Sequence, residues 1–179
     1  MSPAAQPWLT GHRVYIGLGS NLSNDSGDSR QILQQAVDAL HSLATGTVQV
    51  SGLYLSKPMG PQDQPDYFNA VAAFETTLSA PELLATLQQI EQQAGRIRLR
   101  RWGERTLDLD ILLFGDLSMT TPELTIPHSG ILQRNFVVLP LLELDAQLQI
   151  GGILLKDSAA AQQSADIGRI ADACWATIA

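Results

Sequence analysis

The chain has 179 residues, 45% of them hydrophobic and 16% charged, with a formal net charge of −7. That length suits one domain with a real core, and the acidity argues against nucleic acid as a partner. No apolar run approaches the span of a bilayer and neither end reads as a secretory leader, so the expected location is cytoplasmic, with no membrane association. The single cysteine, Cys174, excludes an internal disulfide framework and a multi-cysteine zinc site; its Ala-rich setting reads as a small packing residue.

Residues 1–12 lack periodicity and read as a flexible N-terminal extension, leaving 13–179 as a single domain. Arg13 to Leu18 predicts a buried strand that runs into the Gly19-Ser20-Asn21 turn. Ile32, Leu33, Ala36, Val37 and Leu40 recur at helical spacing, which places a helix over about 29–43. Val48, Val50, Leu53 and Leu55 indicate a strand over 46–56, and a loop with Pro58, Pro61 and Pro65 follows.

Tyr67 to Thr77 alternates as a strand. Ser79, with Pro81 and Glu82 behind it, is a helix start of the capping-box kind, and Gly95 stops that helix. A strand from Thr106 to Phe114 comes next, then a helix from Phe136 to Leu144 despite Pro140, and helical content at 159–177. The order strand, helix, strand, strand, helix, strand is that of a split βαβ. It predicts an α+β, ferredoxin-like sandwich, a mainly antiparallel sheet backed by helices.

Chemistry concentrates between Gly95 and Ile111. Arg96, Arg98, Arg100, Arg101 and Arg105 face only one acid, Glu104, in an otherwise acidic chain. Guanidinium forks suit phosphate bidentately, so this loop reads as an anion site flanked by glycine hinges and Trp102. Asp108 and Asp110 lie two apart on a strand, so both carboxylates leave the same face while Leu107, Leu109 and Ile111 turn to the core. Like charges so placed call for a cation, and magnesium accepts one or two carboxylates and completes its shell with water and phosphate. Arginines beside such a pair point to phosphoryl transfer, which needs charge neutralisation and in-line positioning more than covalent help.

Arg-Trp-Gly-x-Arg-Thr-Leu-Asp-Leu-Asp-Ile at 101–111 resembles the signature of the 6-hydroxymethyl-7,8-dihydropterin pyrophosphokinase family of folate biosynthesis. The similarity extends to Gly17–Leu22, to the Gly60–Asn69 loop, and to Pro127-His128 through Arg134 and Phe136. The resemblance implies transfer of diphosphate from ATP to the pterin hydroxymethyl group, with two Mg²⁺ ions held by Asp108 and Asp110. Arg96 and Arg105 would share the catalytic role with those aspartates. Glu91, Arg98, Trp102, Ile111, Thr125, His128 and Arg134 would contact ATP, and Ser56, Pro58, Met59, Tyr67, Asn69 and Phe136 would form the pterin pocket. ATP and the pterin are the expected partners of a monomer. Lys57, Glu123 and Ser129 depart from the family's usual residues.

Overall fold

A computed structural model describes residues 11–96, 101–163 and 165–176. In chain order it has strands and helices β1 (His12–Ser20), α1 (Ser29–His41), β2 (Gln49–Val50), β3 (Leu53–Ser56), β4 (Tyr67–Thr76), α2 (Ala80–Gln93) and β5 (Asp108–Phe114). The second part comprises β6 (Met119–Thr120), β7 (Thr125–Ile126), α3 (Asn135–Leu144), β8 (Gln149–Ile150), β9 (Ile153–Leu154), α4 (Ala159–Gln162) and β10 (Ile167–Ala171). A short 3₁₀ turn, Ala173–Ala176, closes the described chain.

The main sheet runs β10-β3-β4-β1-β5, antiparallel at every described pairing, with β2 also on β4. Helices cover both faces, so the central strands read as near-continuous apolar runs. α1 and α2 press Leu33, Leu40, Leu83 and Leu87 against Ile16, Ala72 and Phe74. On the opposite face α3 sets Val138 and Leu141 against Val71, Ala73 and Leu112. Both long N-terminal helices start where their chemistry dictates. Asp28 and Gln31 form one capping box, Ser79 and Glu82 the other, and each satisfies orphan amides of a first turn.

Two strands are shorter than their apolar patterns suggest. The expected strand over 46–56 breaks at Ser51-Gly52, where Ser51 Oγ accepts the Val71 N–H. The fifth strand begins at Asp108 because the Arg105 carbonyl is taken by the Asn21 and Leu22 amides instead of a sheet neighbour.

The tail differs most. The helix expected over 159–177 is confined to Ala159–Gln162, and Ile167–Ala171 is a strand paired to β3. The outer edge of β3 offers unpaired backbone groups, and satisfying them outweighs the weak local preference of an Ala/Gln run. Cys174 is exposed, contrary to the packing role expected of it. Trp175 takes the core position instead, 2% exposed, its indole N–H donating to the Ser51 carbonyl at 2.8 Å.

Candidate active site

A cavity of about 250 Å³ opens on the α3 side of the sheet, floored by β1, β4 and β5. Antiparallel register brings its polar groups together: Gly19 lies opposite Asn69 on one side and Asp108 on the other, and Gly17 opposite Asp110. With no side chains at 17 and 19, the strand between the carboxylates and Asn69 forms bare floor, and both glycines line the cavity. The sequence-based geometry of the aspartate pair holds, since Leu107, Leu109 and Ile111 are buried in the core on the other face.

Each oxygen of Asp108 meets an arginine: Oδ1 lies 3.1 Å from Arg96 Nη2, and Oδ2 lies 2.9 Å from Arg105 Nη1. Arg96 continues to Glu91, which is 4% exposed on α2 and also accepts the Leu109 N–H at 3.4 Å. Glu91 therefore sits behind the cavity as an anchor for Arg96. Among the described residues, Asp110 has only His128 as an ion-pair partner, at 3.9 Å. Its 41% side-chain exposure faces into the cavity, and burial by the cavity walls, reinforced by Asp108, pushes its carboxyl up to about 7 despite Arg134, Arg105 and Arg96.

His128 reaches this place through a bulge. Between Tyr15 and Ile16 the register with β5 slips, leaving Leu112 as an extra residue, and its carbonyl accepts the His128 N–H at 3.0 Å. Burial, then the Arg134 charge, holds the imidazole below its ordinary pKa, so the ring is mainly neutral at pH 7. Nδ1 accepts the Gly130 N–H at 3.1 Å, which leaves the proton on Nε2, the nitrogen 3.9 Å from Asp110 Oδ2. His128 thus offers the cavity a neutral N–H donor.

The other end of the cavity is flat and apolar. Tyr67 and Phe136 line it together with Met59, Val137 and Leu112. Asn69, 5% exposed, donates from Nδ2 to Ser56 Oγ at 2.7 Å. Among the described residues no donor is bonded to Asn69 Oδ1. Lys57, which departs from the family pattern, also lines the wall, with Asp66 3.4 Å from its ammonium.

Trp102 covers the site on a turn at φ +60°, 39% exposed, with the Arg134 guanidinium 5.7 Å from its ring centroid and 6.0 Å from that of Phe136. Gly60 makes this approach possible, because a Cβ there would lie 2.4 Å from Trp102 Cβ. Two residues absent from the expected set, Asn21 and Gln64, hold the turn in place. Asn21 Nδ2 donates to Gln64 Oε1 at 3.1 Å, Asn21 Oδ1 accepts the Arg105 N–H at 2.9 Å, and Gln64 Nε2 donates to the Trp102 carbonyl at 2.8 Å. Tyr67 Oη adds a bond to the Gly103 carbonyl at 2.7 Å. Asn21 and Gln64 both lie in segments that carry the family resemblance, Gly17–Leu22 and the Gly60–Asn69 loop, but side-chain amides in loops are too common to single out.

Of the residues expected to act, Arg105, Asp108, Asp110, Trp102, His128, Arg134, Ser56, Met59, Tyr67, Asn69 and Phe136 all line this one cavity. Arg96 and Glu91 stand behind it. Pro58 faces a neighbouring hollow rather than the main one. Ile111 is 3% exposed in the core, so only its backbone, on the sheet's edge strand, can face a ligand; Thr125 lies on β7, which packs beside that edge. Arg98 falls outside the described residues, as does Arg100.

Residues 15–146 match the model of the 7,8-dihydro-6-hydroxymethylpterin-pyrophosphokinase family. The chain belongs to this family. The 2-amino-4-hydroxy-6-hydroxymethyldihydropteridine pyrophosphokinase of Haemophilus influenzae is 53% identical over 136 residues, covering 75% of this chain and 82% of that protein. The enzyme of the same name from Pseudomonas aeruginosa is 48% identical over 139 residues, covering 77% and 83%. Wild-type Plasmodium falciparum HPPK-DHPS, solved with SDX-DHP, gives a TM-score of 0.61 at 13% identity, over 82% of this chain and 43% of that one. That likeness is one of fold, and this chain spans less than half of the longer solved protein.

Proposed function

We infer that the chain transfers a diphosphate group from ATP to the hydroxymethyl oxygen of 6-hydroxymethyl-7,8-dihydropterin, leaving AMP, in folate biosynthesis. Family membership supports the reaction. The observation that carries the residue-level reading is the single cavity with carboxylates and arginines at one end and two aromatic rings with a carboxamide at the other. The strand order supports a ferredoxin-like description of the fold.

In this reading Tyr67 and Phe136 sandwich the flat bicycle, and Asn69 Oδ1 accepts from its N–H edge. The acceptor hydroxyl is the substrate's own, so no protein nucleophile is needed. Arg105, Arg134 and the His128 Nε2–H take the phosphate oxygens, where preorganised donors stabilise spreading negative charge, and Arg96 adds its charge from behind Asp108. Trp102 and its turn shield the reacting groups from water.

The carboxylates suit Mg²⁺. Among the described residues no cluster of three or more His, Cys, Asp or Glu is placed to hold a metal; the ligands would be Asp108 and Asp110, with phosphate oxygens and water completing the shell. Their fit shows at Asp110, where burial and the adjacent Asp108 carboxylate hold the proton to about pH 7 although Arg134, Arg105 and Arg96 oppose it, a penalty that a cation on the pair would relieve. Two Mg²⁺ ions there would neutralise the triphosphate and polarise the phosphorus under attack. Among the described residues, no helix is long and apolar enough to cross a membrane. A cytoplasmic monomer completes the proposal, its oligomeric state open to sedimentation. The deciding assay incubates the protein with ATP, Mg²⁺ and the hydroxymethyl pterin and identifies the nucleotide product. AMP with the pterin diphosphate is expected; ADP, or no turnover, refutes the assignment.

A further inference from the structure

The carboxylate of Glu143 lies in the last turn of α3, outside the cavity lining, and makes three charge-assisted contacts at once. Oε1 accepts from Tyr54 Oη at 2.6 Å and pairs with Arg169 Nε at 2.8 Å, while Oε2 accepts the Gly52 N–H at 2.6 Å. Those partners come from β3, from β10, and from the break between β2 and β3. Gly52 is required for the arrangement, since a Cβ there would lie 2.4 Å from Arg169 Nε and 2.7 Å from the Ala171 carbonyl oxygen. Burial and the bond to Glu143 push the Tyr54 hydroxyl well above its ordinary pKa, so it remains a donor throughout the neutral range.

Glu143 is seven residues beyond Phe136 in the same helix. Seven residues make about two turns and about 10 Å, so both side chains leave one face of α3. Phe136 projects over the flat end of the cavity, and Glu143 over the broken strand. The rest of the contact between α3 and the sheet is apolar, through Val138 and Leu141 on Val71 and Ala73. Such packing resists separation but has no directional preference along the sheet. Among the described residues, every hydrogen bond or ion pair that joins an α3 side chain to the main sheet passes through Glu143.

The opposite wall of the slot is fixed by the same strands. Ser56, which holds Asn69, ends β3; it pairs with Ile167 of β10, and the next residue, Lys57, donates its N–H to the Asp166 carbonyl at 3.1 Å. We propose that Glu143 is a positioning residue for heterocycle binding: by tying α3 to β3 and β10 it sets the gap between the Phe136 ring and the Tyr67–Asn69–Ser56 wall. The nucleotide end is less exposed to this control. Asp108, Asp110 and Arg105 belong to β5 and its approach, and the long Arg134 side chain can follow a small shift of the helix that a stacked ring cannot.

This proposal rests on the pterin reading of the slot, and the unaltered chain tests that reading first. Its failure to bind the hydroxymethyl pterin in the presence of a non-hydrolysable ATP analogue and Mg²⁺ would remove the slot assignment, whatever Glu143 does. Given binding, Glu143→Gln keeps the shape and one acceptor but loses the charge. It is expected to raise the pterin Kd and KM about 5- to 20-fold while changing ATP Kd and kcat less than about threefold. Arg169→Met, which leaves the Tyr54 and Gly52 bonds, should move pterin affinity the same way by a smaller factor. Urea midpoints and near-UV circular dichroism establish that the variants are folded. Equal losses of pterin and ATP affinity, or unchanged pterin affinity in folded Glu143→Gln, would overturn the proposal and leave Glu143 a stability residue only.

Discussion

Replacing Gln64 with alanine is expected to slow diphosphoryl transfer without unfolding the protein. Gln64 is 8% exposed and makes two bonds that cross between loops, one from Asn21 Nδ2 at 3.1 Å and one to the Trp102 carbonyl at 2.8 Å. A third, to the Pro61 carbonyl, stays within its own loop. At about 1 kcal/mol net for each hydrogen bond, the two crossing bonds favour the docked turn by about 2 kcal/mol. Since 1.4 kcal/mol corresponds to tenfold, their loss shifts the docked-to-undocked ratio by about 30-fold. Asn21 still holds the Arg105 backbone and Tyr67 the Gly103 carbonyl in the variant, so the part that loosens is Trp102 itself. Single-turnover transfer should fall about 10- to 30-fold. Acrylamide quenching of Trp102, measured in a Trp8→Phe background where buried Trp175 is the only other indole, should rise in parallel. A transfer rate within twofold of the parent, with unchanged quenching, would refute the reasoning.

Glu91→Ala strands the Arg96 guanidinium, 10% exposed, with Asp108 as its remaining carboxylate partner among those described. Breaking such a buried pair costs about 3 kcal/mol, readable as a lower urea midpoint; an unchanged midpoint would show that Arg96 relaxes into water freely. Asp110 makes a prediction about pH. Its carboxyl is raised to about 7 in the folded chain, whereas an unfolded aspartate titrates near 4. Between those values the folded chain binds the extra proton, so stability falls as pH rises through that window and levels off above about 7. Asp110→Asn should flatten this slope in urea unfolding at pH 4 to 8, and a variant as pH-dependent as the parent would contradict the assignment. In the same window Mg²⁺ must displace the proton, so its affinity should rise with pH up to about 7.

The periodic segments were readable before the fold was known because each carries its own local physics. Asp28 with Gln31 and Ser79 with Glu82 cap their helices from within a few residues, and two-residue spacing alone places Asp108 and Asp110 on one face. The arginines and the aspartate pair already matched phosphate and a cation in chemistry; the flat-ring pocket of Tyr67, Asn69 and Phe136 came from the resemblance alone. Arg98 and Arg100 lie outside the described residues, so their expected part in the site rests on sequence alone.

The amino-acid sequence by itself determined the order of strands and helices as far as Phe114, apart from the break at Ser51-Gly52, together with the polarity of the arginine loop and the direction of the aspartate pair, since these depend on neighbours within about one turn or one strand. Tertiary structure decided the rest. It turned the tail from helix to edge strand, because β3 presented backbone groups that local preference could not anticipate. It left Cys174 outside and drew Trp175 in, buried Glu91 behind Arg96, and raised the Asp110 carboxyl through walls contributed by distant segments. Asn21, Gln64 and Glu143 show the same limit: each gains its meaning from partners tens of residues away, and only the folded chain supplies them.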